Sequence, residues 1–249
     1  MDVLVTRPRE DAEPLAGELA ARGYRVWLAP MLSVAVESAA VESAARPDLS
    51  GVQALLFTSA NGARAFAALS PRRDVPVLAV GEATATAARD AGFTAVESAG
   101  GDAGALATLV QARLTPGAGR LYHAAGSATA GDLRARLENA GFAVRREILY
   151  HAHPAERLPP EVQQALARRQ LGAALFFSPR TADTFVTLTV EGGLGDACRS
   201  LRAVCLSNAV AERVSRLAWH EVRVAATPTR ADLVRALDAL AKTGANETN

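Results

Sequence analysis

Ala54-Leu-Leu-Phe-Thr-Ser59-Ala-Asn-Gly-Ala-Arg-Ala-Phe66 and Ala173-Ala-Leu-Phe-Phe-Ser178-Pro-Arg-Thr-Ala-Asp-Thr-Phe185 are written almost alike. Each is a short apolar run that ends at a serine and gives way to a helical pattern. The two serines stand 119 positions apart (178 − 59). A second echo follows, in which Val77-Leu-Ala-Val-Gly81-Glu-Ala-Thr-Ala85 answers Ala203-Val-Cys-Leu-Ser207-Asn-Ala-Val-Ala211, 126 positions on (203 − 77). Residues 1–28 resemble 120–147 in the same way, with Gly23 matching Gly141. A strand closed by a small residue and followed by a helix is how open α/β sheets build ligand sites. This chain carries the arrangement twice.

Outward from these motifs the pattern alternates strand and helix. Strands are expected near 3–6, 25–28, 54–57, 77–80 and 94–97, then near 120–123, 143–147, 173–177, 203–206 and 222–225. Helical patterns begin near Arg9, Asn61, Glu82, Ala103, Ala130, Glu161, Arg180, Ala209 and Arg230. Apolar strands separated by amphipathic helices predict parallel sheets covered on both faces. Gly23-Tyr24, Gly92-Phe93 and Gly141-Phe142 each close a helix, where a left-handed C-terminal cap favours glycine.

Two segments, Ala29-Pro-Met-Leu-Ser-Val-Ala-Val36 and Glu147-Ile-Leu-Tyr-His-Ala-His153, read as extended connectors. A chain that leaves one sheet at the first and returns at the second gives each sheet five strands. The expected domains are then a discontinuous one, 1–32 plus 152–243, and an inserted one, 36–147. The connectors span 29–36 and 147–153, and 244–249 forms a disordered tail. One domain per half of the chain is the simpler alternative. Val36-Glu-Ser-Ala-Ala followed by Val41-Glu-Ser-Ala-Ala reads as a tandem duplication in a loop or short helix, and Glu191-Gly-Gly-Leu-Gly-Asp196 as a flexible turn.

At 249 residues and 49% hydrophobic, the chain can bury a substantial core. With only 5% aromatic residues, Ala, Val and Leu must do most of the packing. A net charge of +1 argues against a nucleic-acid or membrane-surface binder, which needs a basic field. No apolar run approaches the ~20 residues that span a bilayer. The opening Met1-Asp-Val-Leu-Val-Thr-Arg-Pro8 reads as a strand, with no charged-then-apolar leader, so a cytoplasmic location is expected.

Cys198 and Cys205 have no metal-ligand spacing, and Cys205 falls inside a strand pattern as a buried thiol. Of the 27 basic residues, only Lys242 is a lysine, which disfavours a Schiff-base or phosphate-loop lysine. The glycine pairs Gly117-Ala-Gly119 and Gly193-Leu-Gly195 do not make a dinucleotide fingerprint. His151 and His153 could share a strand face, yet with His123 and His220 they complete no ligand set at a recognised metal spacing. Hydrogen-bonding or solvated histidines fit better than a metal site, so neither metal nor cofactor is expected. Ser59 and Ser178 lie outside any Gly-x-Ser-x-Gly elbow. Each serves more simply as a helix N-cap, where exposed backbone N–H groups can hold carboxylates.

The ordered set of motifs carries a resemblance. Val3-Leu-Val-Thr-Arg7-Pro8, Phe57-Thr-Ser-Ala-Asn-Gly62, Val80-Gly-Glu-Ala-Thr84, the Tyr150 connector, Phe177-Ser-Pro-Arg180 and Cys205-Leu-Ser-Asn-Ala-Val-Ala211 together resemble the bacterial uroporphyrinogen-III synthase family from Val3 to about Leu240. The resemblance implies an α/β fold of two flavodoxin-like, doubly wound parallel-sheet domains joined by a two-stranded extended connector. It implies a reaction in which linear hydroxymethylbilane loses water and closes to uroporphyrinogen III with its last pyrrole ring inverted, using no cofactor. Ser59, Asn61, Gly81, Thr84, Ser178, Arg180 and Ser207 are expected to line an interdomain cleft, mainly through backbone N–H groups, with Arg7 adding a charge-assisted contact.

The same resemblance points to Tyr150 as an acid for the leaving hydroxyl, while a packing role at the hinge fits the residue equally well. Two departures from the family stand out. Ser207-Asn-Ala-Val-Ala replaces a turn that often holds a Thr, and His123-Ala-Ala-Gly126 stands where many relatives carry an Arg-Gly pair. The expected partner is a polycarboxylate small molecule, handed over by the enzyme that makes it to a monomer. The rival functions are a two-domain binding protein without catalysis and a nucleotide-dependent transferase.

Overall fold

The computed structural model describes residues 1–36, 47–127 and 132–246. In chain order the first elements are β1 (Asp2–Val5), α1 (Arg9–Ala21), β2 (Arg25–Leu28), β3 (Leu32–Val36), β4 (Val52–Phe57), α2 (Ala60–Leu69) and β5 (Val77–Ala79). Next come α3 (Glu82–Asp90), β6 (Val96–Ser98), α4 (Ala103–Arg113), β7 (Arg120–Gly126), α5 (Leu133–Asn139) and β8 (Val144–Pro154). The chain ends with α6 (Pro160–Ala167), β9 (Ala173–Phe176), α7 (Pro179–Glu191), β10 (Arg202–Cys205), α8 (Asn208–Val214), β11 (Glu221–Val224) and α9 (Arg230–Asn246).

The chain divides into two compact units, Met1–Ser33 with His153–Asn249, and Val34–Ala152. It passes from one unit to the other within β3 and returns within β8. In the first unit the strand order is β11-β10-β9-β1-β2, with every pair parallel. That is the flavodoxin-like order. In the second unit the order is β3-β8-β7-β4-β5-β6, and β4 to β8 pair in parallel.

The internal repeat explains both sheets. Matching β7 and β8 to β1 and β2, and β4, β5 and β6 to β9, β10 and β11, makes the two five-strand orders the same. Even the register follows: Val3 pairs with Ala173 and Leu121 with Ala54, the offsets of the repeat being 118 (121 − 3) and 119 (173 − 54). Each half of the chain therefore gives its opening strand–helix–strand to a sheet that the other half completes.

Side chains alternate across each sheet, so each unit has two cores. In the first, Val3, Val5 and Leu175 face α1 and α9, while Leu4, Phe176 and Cys205 face α6, α7 and α8. In the second, Leu55, Phe57 and Tyr122 face α2 and α3, while Leu56, Leu78 and Leu121 face α4 and α5. The repeat extends to the helix ends. Gly23 has φ 85° and Gly141 φ 86°, and the next residue donates in both cases to a carbonyl five back, Tyr24 to Leu19 and Phe142 to Leu137.

The two extended segments form a strand pair: β8 runs unbroken through Pro154 and β3 lies beside it. α9 extends to Asn246, and residues 247–249 of the expected tail lie outside the described residues. The turn read at Glu191–Asp196 is present at Gly192 and Gly193, after the end of α7, and leads into a 3₁₀ turn, Gly195–Ser200. The helix expected from Ala130 starts at Leu133, and both Ala130 and the tandem Val36–Ala45 repeat beyond Val36 lie outside the described residues.

Candidate functional site

In a doubly wound sheet, ligands sit beyond the carboxyl ends of the strands where the winding reverses. In the first unit that point lies between β1 and β9, and in the second between β7 and β4. The expected residues gather at these two edges.

In the second unit Thr58 and Ser59 follow the end of β4, and α2 begins. Ser59 adopts an extended backbone, φ −157° and ψ 156°, and its Oγ accepts the Gly62 N–H at 3.1 Å. The N–H groups of Ala60 and Asn61 open the helix with no carbonyl behind them. Asn61 turns its side-chain oxygen to Arg64, 3.1 Å away. Gly62 is required because a Cβ there would stand 2.7 Å from the Ala124 carbonyl oxygen on β7. Its absence lets α2 settle directly on the neighbouring strand.

Tyr150 comes from β8 and is only 7% exposed. β7 lies between β8 and β4, so the phenol must cross a strand to reach the β4 turn. It does so over Gly126, where a Cβ would stand 2.6 Å from Tyr150 Cζ. Its hydroxyl ends 2.7 Å from Ser59 Oγ. Gly126 went unread as a site residue; a glycine inside a strand signals such a close approach.

On the opposite face, His123 Nε2 lies 3.1 Å from Thr58 Oγ1. Burial first, and the Arg146 guanidinium second, hold the His123 pKa down to about 4, so the imidazole is neutral at pH 7. Its Nδ1 and Arg146 Nε have no partner among the described residues. Arg146 Nη2 donates to the Gly126 carbonyl oxygen at 2.7 Å, placing a cation at the end of β7 that is supplied by β8. No sequence signal marked Arg146.

Two residues beyond β5, Gly81 caps α3 with φ −163° and ψ 172° and no side chain. The Thr84 N–H already donates to the Gly81 carbonyl oxygen at 3.0 Å, and the residue is buried. The expected donor therefore shifts from Thr84 to the N–H groups of Glu82 and Ala83, the first two of the helix.

In the first unit, Ser178 caps α7 in the same extended conformation as Ser59. Its Oγ accepts from the Thr181 N–H and lies 3.1 Å from Thr181 Oγ1, so the hydroxyl is engaged within its own helix. Pro179 has no N–H, which leaves the Arg180 N–H as the first donor of the helix. Arg7, beyond the end of β1, pairs with Asp11 at 2.9 Å and lies 4.7 Å from the Phe177 ring centroid. The neighbouring strand end thus carries it beside Ser178. Ser207 caps α8 through its backbone and makes no side-chain cap bond.

Among the described residues no group of three or more His, Cys, Asp or Glu could hold a metal ion, and no helix is long and apolar enough to cross a membrane. What both edges offer is helix-start N–H groups, hydroxyls and a few guanidinium groups. These suit carboxylates.

A family model of uroporphyrinogen-III synthase HemD matches residues 13–235. Among solved structures, a mutant uroporphyrinogen III synthase of Thermus thermophilus aligns with a TM-score of 0.56 at 17% identity, over 98% of this chain and 99% of that one. The uroporphyrinogen-III synthetase of Helicobacter pylori aligns with a TM-score of 0.63 at 14% identity, over 96% and 99%. No curated protein matches the sequence. At such identities the structural likeness speaks for the fold, and the family match over most of the chain speaks for the chemistry. The chain belongs to the uroporphyrinogen-III synthase family, and its reaction is the cyclisation of a linear tetrapyrrole to uroporphyrinogen III.

Proposed function

We propose that Tyr150 is the acid of this cyclisation and that the helix starts at Ser59, Gly81, Ser178 and Ser207, with Arg7 and Arg180, bind the substrate's carboxylates. The observation that carries this reading is the Tyr150 hydroxyl beside Ser59, at the point where the winding of its sheet reverses. The phenol protonates the hydroxymethyl oxygen of hydroxymethylbilane, which leaves as water. The azafulvene so formed is attacked by the last pyrrole to give a spiro intermediate. That intermediate rearranges and closes the macrocycle, and the proton released as the ring regains aromaticity returns to the phenolate.

A phenol can give up a proton to a leaving hydroxyl and take one back afterwards. The pyrrole substrate also ionises readily by itself, so holding it in shape supplies a further part of the rate. Main-chain donors survive side-chain truncation, which is why carboxylate binding tolerates changes at Ser178 and Ser207. We place the enzyme in the cytoplasm as a monomer that receives its substrate from the enzyme making it.

The test is Tyr150→Phe. Turnover is expected to fall about ten- to hundredfold with KM almost unchanged, because an acid acts in the transition state and not in binding. The proportion of uninverted type I product should rise in the same variant. An unchanged rate would remove Tyr150 as the acid and leave conformational control as the source of catalysis.

A further inference from the structure

Ser59 and Ser178 are equivalent in the repeat, yet their hydroxyls do different things. Ser178 turns to Thr181 within its own helix, whereas Ser59 reaches the Tyr150 hydroxyl 91 residues away in sequence. Resting on Tyr150 as the acid, we propose that Ser59 is its positioning residue, donating its proton to the phenol oxygen and leaving the phenol proton free for the substrate.

A serine hydroxyl has one donor and two acceptor sites. The Gly62 N–H occupies an acceptor site of Ser59 Oγ, at 3.1 Å. Gly62 and Tyr150 are its two partners among the described residues. If Tyr150 donated to Ser59, the serine proton would find no acceptor among the described residues and the phenol proton would be committed. With the opposite polarity the chain runs from Gly62 N–H to Ser59 Oγ–H to Tyr150 Oη–H, and the one proton left over is the phenol's, available to the substrate. A donor aimed at the phenol oxygen stabilises the phenolate that forms as the proton leaves, and the positive end of α2 acts in the same sense. Gly126 completes the arrangement by leaving the ring its path across β7.

Ser59→Gly removes the hydroxyl while keeping a residue suited to the cap: Gly81 caps α3 with nearly the same backbone angles, and glycine is well tolerated at this position. The tyrosinate absorbance lost in Tyr150→Phe isolates the titration of this phenol in the full chain without substrate. In Ser59→Gly that component is expected to move to higher pH, and in Ser59→Thr to return toward wild type. Turnover of Ser59→Gly should fall about ten- to hundredfold at nearly constant KM, and the double variant Ser59→Gly/Tyr150→Phe should be no slower than Tyr150→Phe. A component that stays in place or moves to lower pH in Ser59→Gly would overturn the proposal, since it would mean that the phenol donates or is indifferent. An unchanged rate in Tyr150→Phe would sink the acid role alone, because the titration reads the hydrogen bond independently of activity.

Discussion

His123 shows how much one buried side chain can decide. Its folded pKa of about 4 lies below the ordinary 6.5, so the unfolded chain binds a proton that the folded one refuses. Stability is therefore full above pH ~6.5 and is lost as pH falls through about 4, by an amount near 3 kcal/mol at 1.36 kcal/mol per pH unit. Asp48 and Asp74, whose pKa values fall from 3.8 to about 2 through hydrogen bonds to Ser50 and Arg72, act only at lower pH. Urea midpoints measured between pH 7 and 4.5 should decline more steeply in wild type than in His123→Gln; equal slopes would show that His123 is not the titrating group. At this scale the sequence revealed the serines, because a strand end and a helix cap are local. The Ser59–Tyr150 bond was hidden, because it depends on which strand lies between β4 and β8 and on a missing side chain at Gly126.

At the scale of elements, α2 and α7 start from matching caps but tolerate different changes. Ser178→Ala should cost about 1 kcal/mol of stability, the value of a lost cap, and leave turnover within about tenfold of wild type. A larger loss of activity would show that its hydroxyl does chemistry. Gly62→Ala should cost more, about 1–3 kcal/mol, because its Cβ meets a strand carbonyl that cannot move aside, as chemical denaturation would measure. A neutral result would mean that α2 can lift from β7. Helix starts were legible to within a few residues, since caps and Pro179 act locally. Exact strand ends were not, since the strand expected near 94–97 is Val96–Ser98 and packing and strand partners lie outside the local pattern.

For the whole molecule, the half-chain repeat showed parallel sheets with helices on both faces before any coordinates. The repeat alone left open which strands share a sheet, since one domain per half satisfies it, and the discontinuous partition rested on the two extended segments. In the structure β1 pairs with β9 and β4 with β7, so each sheet needs strands from both halves. We therefore expect residues 34–152 expressed alone to unfold cooperatively, and residues 1–119, which lack β7 and β9, not to. A cooperative transition in 1–119 would mean that β4 takes the place of β9 beside β1. Everything said of the site presupposes that this chain closes a linear tetrapyrrole with inversion of its last ring. The decisive measurement is to incubate the purified chain with freshly generated hydroxymethylbilane and separate the oxidised isomers. Type III product well above the uncatalysed background is expected, whereas type I product at the uncatalysed rate would contradict the assignment.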